Sequence, residues 1–482
     1  MINLKEHFKL SAVYTFFAVF PALLQLIVYP IIEGENRLGA ADFGHLAITE
    51  AIISMVFLIC TFGMGTGIAR FYYDHKDDKT GYNYLVSSVL SGILGRGLLL
   101  MGLVLVLGPY AGSLFPLPAL QNFGEYGPAL VIAGLNRSVI ATLLVLYRNE
   151  KRLRAFVIVS FFSGVLRSGF QLVGVFLYDL SFIGYVYGTA AGGAILALIL
   201  VLYTYGSCGM HYKRSLLKAL HKFAGPLFLT ELIYWGLLFA DRFFLINNPG
   251  ELGIYDNAMK FAIGIQMIIQ GLTSAVQPEV YRYMKQGVKE KENEIKTLSN
   301  LFIAEAAGII AFSILPVMLF IQLFYETELT LSGGLVAIVF VRFILRAQYQ
   351  VFSWPLLFKK KSNVFFYINS AVLIINLGMN WFLTPAIGYY GAVIAFLTAF
   401  IVQIIALKII QNRIAPVGYN YKKVFYFPLA MIIAAVLLEI IKLSSPAGPF
   451  LTSGILVFLI IGGLVILYRG ELLKIFLKLR SK

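Results

Sequence analysis

This sequence predicts an all-α integral membrane protein of about fourteen transmembrane helices. Three observations carry that reading. The chain is 59% hydrophobic and only 13% charged, about half the charged share of an ordinary soluble domain. Its apolar residues gather in runs of about 20, the length a helix needs to cross a bilayer. Its Lys and Arg residues fall mostly in alternate connections between those runs, as positive-inside topology requires.

The first six runs cover residues 10–32, 44–69, 84–107, 126–147, 155–178 and 182–205. The next six cover 223–246, 254–278, 298–324, 331–358, 363–383 and 388–410, and two more cover 424–443 and 449–468. The 44 glycines agree with membrane-spanning helices, in which glycine is frequent. The first run is too long for the apolar core of a signal peptide and has no small-residue cleavage site, so it reads as a permanent helix. No connection is long enough for a soluble domain. The longest, 279–297, is a polar linker ending in Lys289-Glu290-Lys291-Glu292-Asn293-Glu294.

Charge sets the orientation. Lys5 and Lys9 precede the first run, and the even-numbered connections hold clusters such as Arg148, Lys151, Arg152 and Arg154. Others are Lys213, Arg214, Lys218 and Lys222, and later Lys359, Lys360 and Lys361. With the tail, this side collects 30 Lys and Arg residues against three on the other, Arg37, Arg242 and Lys442. Both termini are therefore expected in the cytoplasm. The net charge of +15 comes from this topology, and nucleic acid is not an expected partner.

The two halves resemble each other. Asp42-Phe43-Gly44 and Glu251-Leu252-Gly253 follow the first and seventh runs, 209 residues apart. Lys151-Arg152 and Lys360-Lys361 precede the fifth and eleventh at the same spacing. Gly184-Tyr185-Val186-Tyr187-Gly188 and Gly388-Tyr389-Tyr390-Gly391 open the sixth and twelfth. Six helices is an even number, so both copies face the same way and the repeat is parallel. The expected domains are an N-terminal six-helix lobe at 1–212 and a second at 213–412. Residues 413–482 then supply two extra transmembrane helices and a basic tail.

Several chemistries are excluded. Cys60 and Cys208 lie in separate apolar runs, and the five histidines form no ligand cluster, so no metal or disulfide framework is expected. No Walker A motif is present, so an ion or substrate gradient must supply the work. A membrane glycosyltransferase or polymerase would show a sizeable outer loop, which this chain lacks. The chain is not expected to be an enzyme or to hold a cofactor, with H+ or Na+ as candidate coupling ions.

The six cations not assigned to the connections or the tail are Arg96, Arg137, Arg167, Lys260, Arg342 and Arg346, and all lie within apolar runs. Acids placed similarly are Glu50, Glu231, Glu305 and Glu439. An intramembrane charge costs several kcal/mol or more and normally faces a wet cavity or a partner. One reading pairs these charges as structural glue. The other has the arginines line a central cavity that binds an anion, because a guanidinium donates two hydrogen bonds to one phosphate. Arg342 and Arg346 are four residues apart, so a regular helix places them on one face, where like charges repel unless something negative is near. This pair is the expected anion contact, supported by Arg137 and Arg167. Glu50, Glu231 and Glu305 are candidate ion-coupling residues.

Four stretches carry a family resemblance. They are Thr61-Phe62-Gly63-Met64-Gly65-Thr66-Gly67-Ile68-Ala69-Arg70, Asp241-Arg242-Phe243-Phe244-Leu245, Glu251-Leu252-Gly253-Ile254-Tyr255 and Gly388-Tyr389-Tyr390-Gly391-Ala392. With fourteen helices, they resemble the polysaccharide-exporting flippases of the MATE-like (multidrug/oligosaccharidyl-lipid/polysaccharide) superfamily, of the Wzx O-antigen type. The resemblance implies two six-helix lobes around a cavity that opens alternately to either face. It implies a polyprenyl-diphosphate-linked oligosaccharide as cargo and, in some members, coupling to an ion gradient. Arg70, Asp241 and Arg242 stand in these motifs as gate or helix-end candidates. Expected partners are the lipid-linked anionic oligosaccharide, membrane lipids and the polysaccharide polymerase machinery. The expected location is the bacterial cytoplasmic membrane. A lipid II flippase and a multidrug/cation antiporter of the same superfamily are the alternatives. The antiporter is disfavoured because cationic cargo favours an acidic cavity.

Overall fold

Short polar connections leave each apolar run free to close its own backbone hydrogen bonds as a helix, the one local solution a bilayer accepts for an open chain. A computed structural model describes residues 4–177, 181–361, 363–444 and 448–480. Among them are 14 helical spans long and apolar enough to cross a membrane, as the sequence predicts. The last residue of the fifth run, 178, lies outside the described residues. The chain divides into two compact units, Met1–Gly253 and Ile254–Lys482.

In the first unit the helices are α1 (Leu4–Ile32), α2 (Ala40–Thr61), α3 (Met64–His75), α4 (Lys79–Gly112), the short α5 (Pro118–Gln121) and α6 (Phe123–Asn149). They continue with α7 (Leu153–Leu177), α8 (Phe182–Cys208) and α9 (Arg214–Phe244). α10 (Pro249–Gln286) begins here and runs into the second unit, where α11 (Glu292–Phe324) follows. Next come a 3-10 segment (Glu328–Leu335), α12 (Val336–Val341), α13 (Ile344–Phe358), α14 (Asn363–Ile387) and α15 (Tyr389–Ile414). A wide π turn at Lys422–Tyr426 leads into α16 (Phe427–Ser444), and α17 (Pro449–Arg480) is last.

Two expected single helices are interrupted. The run 44–69 becomes α2 and α3, separated by Phe62 and Gly63, both left-handed at φ 47° and 67°. The run 331–358 becomes the 3-10 segment, α12 and α13, with a turn at Arg342 and Phe343. Uniform apolarity hides such breaks, because hydropathy registers burial and not φ. The unit boundary also groups α9, the seventh expected span, with the first six, since α9 packs on α2, α3 and α4.

The repeat is visible in the backbone. α6 ends with Lys151 left-handed at φ 57°; Lys151 N donates to the Arg148 carbonyl at 3.1 Å and Arg152 N to that of Tyr147 at 2.9 Å. α13 ends with Lys360 at φ 57°; Lys360 N donates to the Leu357 carbonyl and Lys361 N to that of Leu356, both at 2.9 Å. These are two Schellman caps, identical in pattern and 209 residues apart. The first turns of α2 and α10 show the same offset. A Cβ on Gly44 would meet the Pro249 carbonyl at 2.0 Å, and one on Gly253 would meet the Ala40 carbonyl at 1.9 Å. Each glycine receives the residue four before the other, the reciprocity expected of repeat-related elements.

Side chains divide as a membrane requires. Large apolar residues such as Leu98, Leu99, Phe458 and Ile466 are exposed, a surface that water would not tolerate over such an area. The core of the first unit gathers Val56, Ile68, Val89, Leu143 and Leu200.

Candidate anion-binding site

The first unit brings three of the expected residues together. Arg137 Nη1 on α6 donates to Glu50 Oε1 on α2 at 2.8 Å, and Arg167 Nη2 on α7 donates to Glu50 Oε2 at 3.2 Å. One carboxylate bridges two guanidinium groups, so the cluster keeps one net positive charge. Arg137, Glu50 and Arg167 side chains are 42%, 30% and 25% exposed, so the cluster borders open space and is not sealed in a core.

Local packing places these groups. Gly134 lets α6 approach α2 so closely that a Cβ there would meet Val56 Cγ1 at 2.5 Å. Gly164 does the same for α7 against α1, where a Cβ would meet Leu24 Cδ1 at 3.0 Å. Each arginine stands three residues after its glycine, about one turn along the helix. Arg137 is held by more than Glu50. Its Nη1 also reaches Ser54 Oγ at 3.4 Å, and its Cζ lies 5.2 Å from the Phe57 ring centroid. Tyr185 and Tyr29 lie beside Arg167, whose buried Nε has no acceptor among the described residues.

Arg96 has a different task. Its Nε donates to the Cys60 carbonyl at 2.8 Å and its Nη2 to the Thr61 carbonyl at 3.4 Å, at the end of α2. Its Cζ lies 5.6 Å from the Phe62 ring centroid. Arg96 Nη1 meets His221 Nε2 at 3.1 Å, while His221 Nδ1 faces the Leu217 carbonyl at 2.7 Å. Arginine cannot accept, so the hydrogen bonds assign the imidazole proton to Nδ1. Arg96 thus fastens the break between α2 and α3.

The second unit departs from expectation. Arg342 is only 1% exposed. Its Cζ lies 4.0 Å from the Phe396 ring centroid, and Nη1 reaches the Tyr255 hydroxyl at 3.4 Å. Nη2 contacts Met259 Sδ, and Nε has no hydrogen-bond partner among the described residues. The helix breaks at this residue, which turns Arg342 into an aromatic enclosure and leaves Arg346 half-buried. The two arginines therefore do not form the equally accessible pair that a regular helix would give. Arg346 Cζ lies 5.3 Å from the Tyr349 ring centroid. Lys260 pairs with Asp256 at 3.1 Å on its own helix.

The repeat offset compares the two units. Arg346 is the counterpart of Arg137, Asn376 of Arg167 and Met259 of Glu50, each shifted by 209. Only the first unit places a carboxylate and a second arginine at these positions.

The remaining candidates are dispersed. Asp241 and Arg242 form a buried pair at 3.1 Å, and Arg242 Nη1 also reaches the Leu238 carbonyl at 2.6 Å. Arg70 pairs with Asp74 at 2.8 Å in an exposed setting. Glu231 and Glu305 are exposed and form no ion pair among the described residues. Glu439 hydrogen-bonds Tyr390 at 2.8 Å and pairs with Lys442. Among the described residues no three His, Cys, Asp or Glu side chains could hold a metal ion.

The sequence-based family model described as polysaccharide biosynthesis protein matches residues 37–332. The chain belongs to that family. No curated protein sequence matches it. Among solved structures, the lipid II flippase MurJ in an inward closed conformation superposes with a TM-score of 0.69 at 14% identity, covering 96% of this chain and 100% of MurJ. The MATE multidrug transporter DinF-BH gives 0.61 at 15%, covering 88% and 97%. An inward-facing multidrug resistance MATE transporter of the MOP superfamily gives 0.64 at 16%, covering 82% and 94%. At such identities the likeness is one of fold.

Sequence reading of this polysaccharide biosynthesis family member missed one polar group beside the arginines. Gln25 Nε2 donates to Gln171 Oε1 at 2.8 Å and to Ser168 Oγ at 3.2 Å. Gln171 Nε2 donates to Thr189 Oγ1 at 2.9 Å, and the Tyr185 hydroxyl donates to Gln25 Oε1 at 2.8 Å. This chain ties α1, α7 and α8 around Arg167. Its signal was present: Gln171 follows Arg167 by four residues and follows Ser168 by three, at helical spacing in a largely apolar run.

Proposed function

We propose that this chain is a flippase that carries a polyprenyl-diphosphate-linked oligosaccharide, an O-antigen or other surface polysaccharide unit, across the bacterial cytoplasmic membrane by alternating access. The observation that carries this reading is the Arg137–Glu50–Arg167 cluster. It puts net positive charge at a partly open, membrane-level position, where bare cations are costly and an anionic headgroup would be stabilised. Membership of the polysaccharide biosynthesis family supports the substrate class. The lipid tail of such a cargo can stay in the bilayer while its diphosphate meets the arginines.

A lipid II flippase is the second reading, favoured by a 14-span fold that covers all of MurJ. Cargo sugar separates the two. Expression in strains that each lack one flippase, with surface polysaccharide and peptidoglycan synthesis as readouts, tests both. Rescue of O-antigen or capsule export alone supports our reading. Rescue of peptidoglycan synthesis alone rejects it.

For coupling, Glu231 and Glu305 are the proposed exchange sites for H+ or Na+, because they are membrane acids without a cationic partner among the described residues. Gradient-dependent transport that persists in the Glu231→Gln/Glu305→Gln double variant rejects this assignment.

A further inference from the structure

Glu50 holds the position that an anionic ligand would take. Its two oxygens each accept from a different arginine, at 2.8 and 3.2 Å. We propose that the Glu50 carboxylate is a built-in stand-in for the cargo's phosphoryl group, filling an anion seat from which that group must displace it. This deepens the flippase reading above and rests on it for the identity of the cargo.

Three features support the exchange. First, Arg137 does not depend on Glu50 for its position. Ser54 and Phe57 lie four and seven residues after Glu50 on α2 and hold the same guanidinium, so the seat survives when Glu50 leaves. Second, Glu50 has room to leave. Its side chain is 30% exposed, so the displaced carboxylate can be solvated. Third, the carboxylate fits the seat incompletely. It accepts from Arg167 Nη2, while the Nε on the same guanidinium edge stays buried without an acceptor among the described residues. A carboxylate has two oxygens, both already used here. A diphosphate esterified at both ends keeps four non-bridging oxygens, two on each phosphorus, enough for Arg137 Nη1 and for the Nη2 and Nε edge of Arg167 together.

The repeat adds an independent point. The second unit carries Met259 where the first carries Glu50, and Asn376 where the first carries Arg167. The acid is present only where two arginines converge, as an internal competitor requires. Glu50 then sets the strength of binding. It weakens the hold on anionic cargo enough for release, and it keeps the empty seat from presenting two uncompensated cations to the membrane.

The test is binding of inorganic diphosphate to the full chain in phosphatidylcholine nanodiscs, followed by calorimetry. Glu50→Gln keeps the shape and removes the competing charge, so it should bind diphosphate about tenfold more tightly than the parent. Glu50→Asp, too short to span both arginines, should gain less. The gain should vanish in Glu50→Gln/Arg137→Ala and Glu50→Gln/Arg167→Ala. Equal or weaker binding in both Glu50 variants overturns the proposal, and thermal shift by diphosphate gives the same comparison if calorimetry of one variant fails. A second arm adds phosphatidic acid to the nanodiscs. Competition with diphosphate in Glu50→Gln assigns the seat to lipid-borne phosphoryl groups. Tight diphosphate binding without that competition upholds the seat but counts against the lipid-linked cargo, so the two readings fail separately.

Discussion

Arg96 on α4 donates from Nε to the carbonyl of Cys60 on α2 at 2.8 Å. That carbonyl belongs to the last turn of α2, where intrahelical partners run out. The guanidinium also opposes the negative end of the helix dipole. A cation that reads in sequence as a ligand-binding candidate thus completes a helix end inside the first unit. Arg96→Ala should lower stability by about 1–3 kcal/mol, the cost of leaving buried carbonyls unsatisfied. Thermal unfolding of detergent-purified protein measures this. An unchanged midpoint would free Arg96 for a ligand role.

Asp241 and Arg242 give a larger expected effect. Both are about 5% exposed, and removing one partner leaves the other charge buried. Asp241→Ala should cost about 3–5 kcal/mol and reduce the yield of folded protein. Fluorescence-detected size exclusion reads this directly. A monodisperse, fully stable variant would show that other neighbours of Arg242 suffice.

The crossing of α2 and α10 has no room for a side chain. Gly253→Leu and Gly44→Leu should each destabilise by about 1–3 kcal/mol or more, the usual cost of overpacking. Gly39, which meets nothing within 4 Å of an added Cβ, is the control. Comparable melting of Gly39→Ala, Gly44→Leu and Gly253→Leu would contradict the close approach.

Lys151 and Lys360 adopt left-handed backbone that favours glycine. Replacing a side-chain-bearing residue there by Gly relieves about 1 kcal/mol of strain and gives part of it back through unfolded-chain entropy. Lys151→Gly and Lys360→Gly should each stabilise by a few tenths of a kcal/mol or more. The two caps are distant, so their effects should add. A double variant no more stable than either single one would be the contrary result in the same melting assay.

Topology is tested independently of cargo. Reporter fusions after about residues 150 and 220 should both read cytoplasmic, as the charge distribution requires. A periplasmic signal at either position contradicts both the orientation and the cytoplasmic termini proposed for this chain.

The sequence by itself determined the spans, the expected orientation and the repeat. Each follows from a constraint that acts along the chain: bilayer thickness sets run length, charge desolvation keeps Lys and Arg in the connections, and duplication leaves a recurring offset. The same constraints flagged Arg137, Arg167 and Glu50 as costly intramembrane charges. They did not show that these three converge. Glu50 lies 87 residues from Arg137 and 117 from Arg167, and which helix faces meet over that distance depends on close approaches such as Gly134 and Gly164. Tertiary structure alone separated Arg96, which closes a helix end, and Arg342, which is enclosed by Phe396 and Tyr255, from Arg137 and Arg167, which stay partly exposed beside Glu50. In a membrane the apolar pattern is nearly the same on every helix face, so periodicity carries little information about which side chains face a neighbour and which face open space.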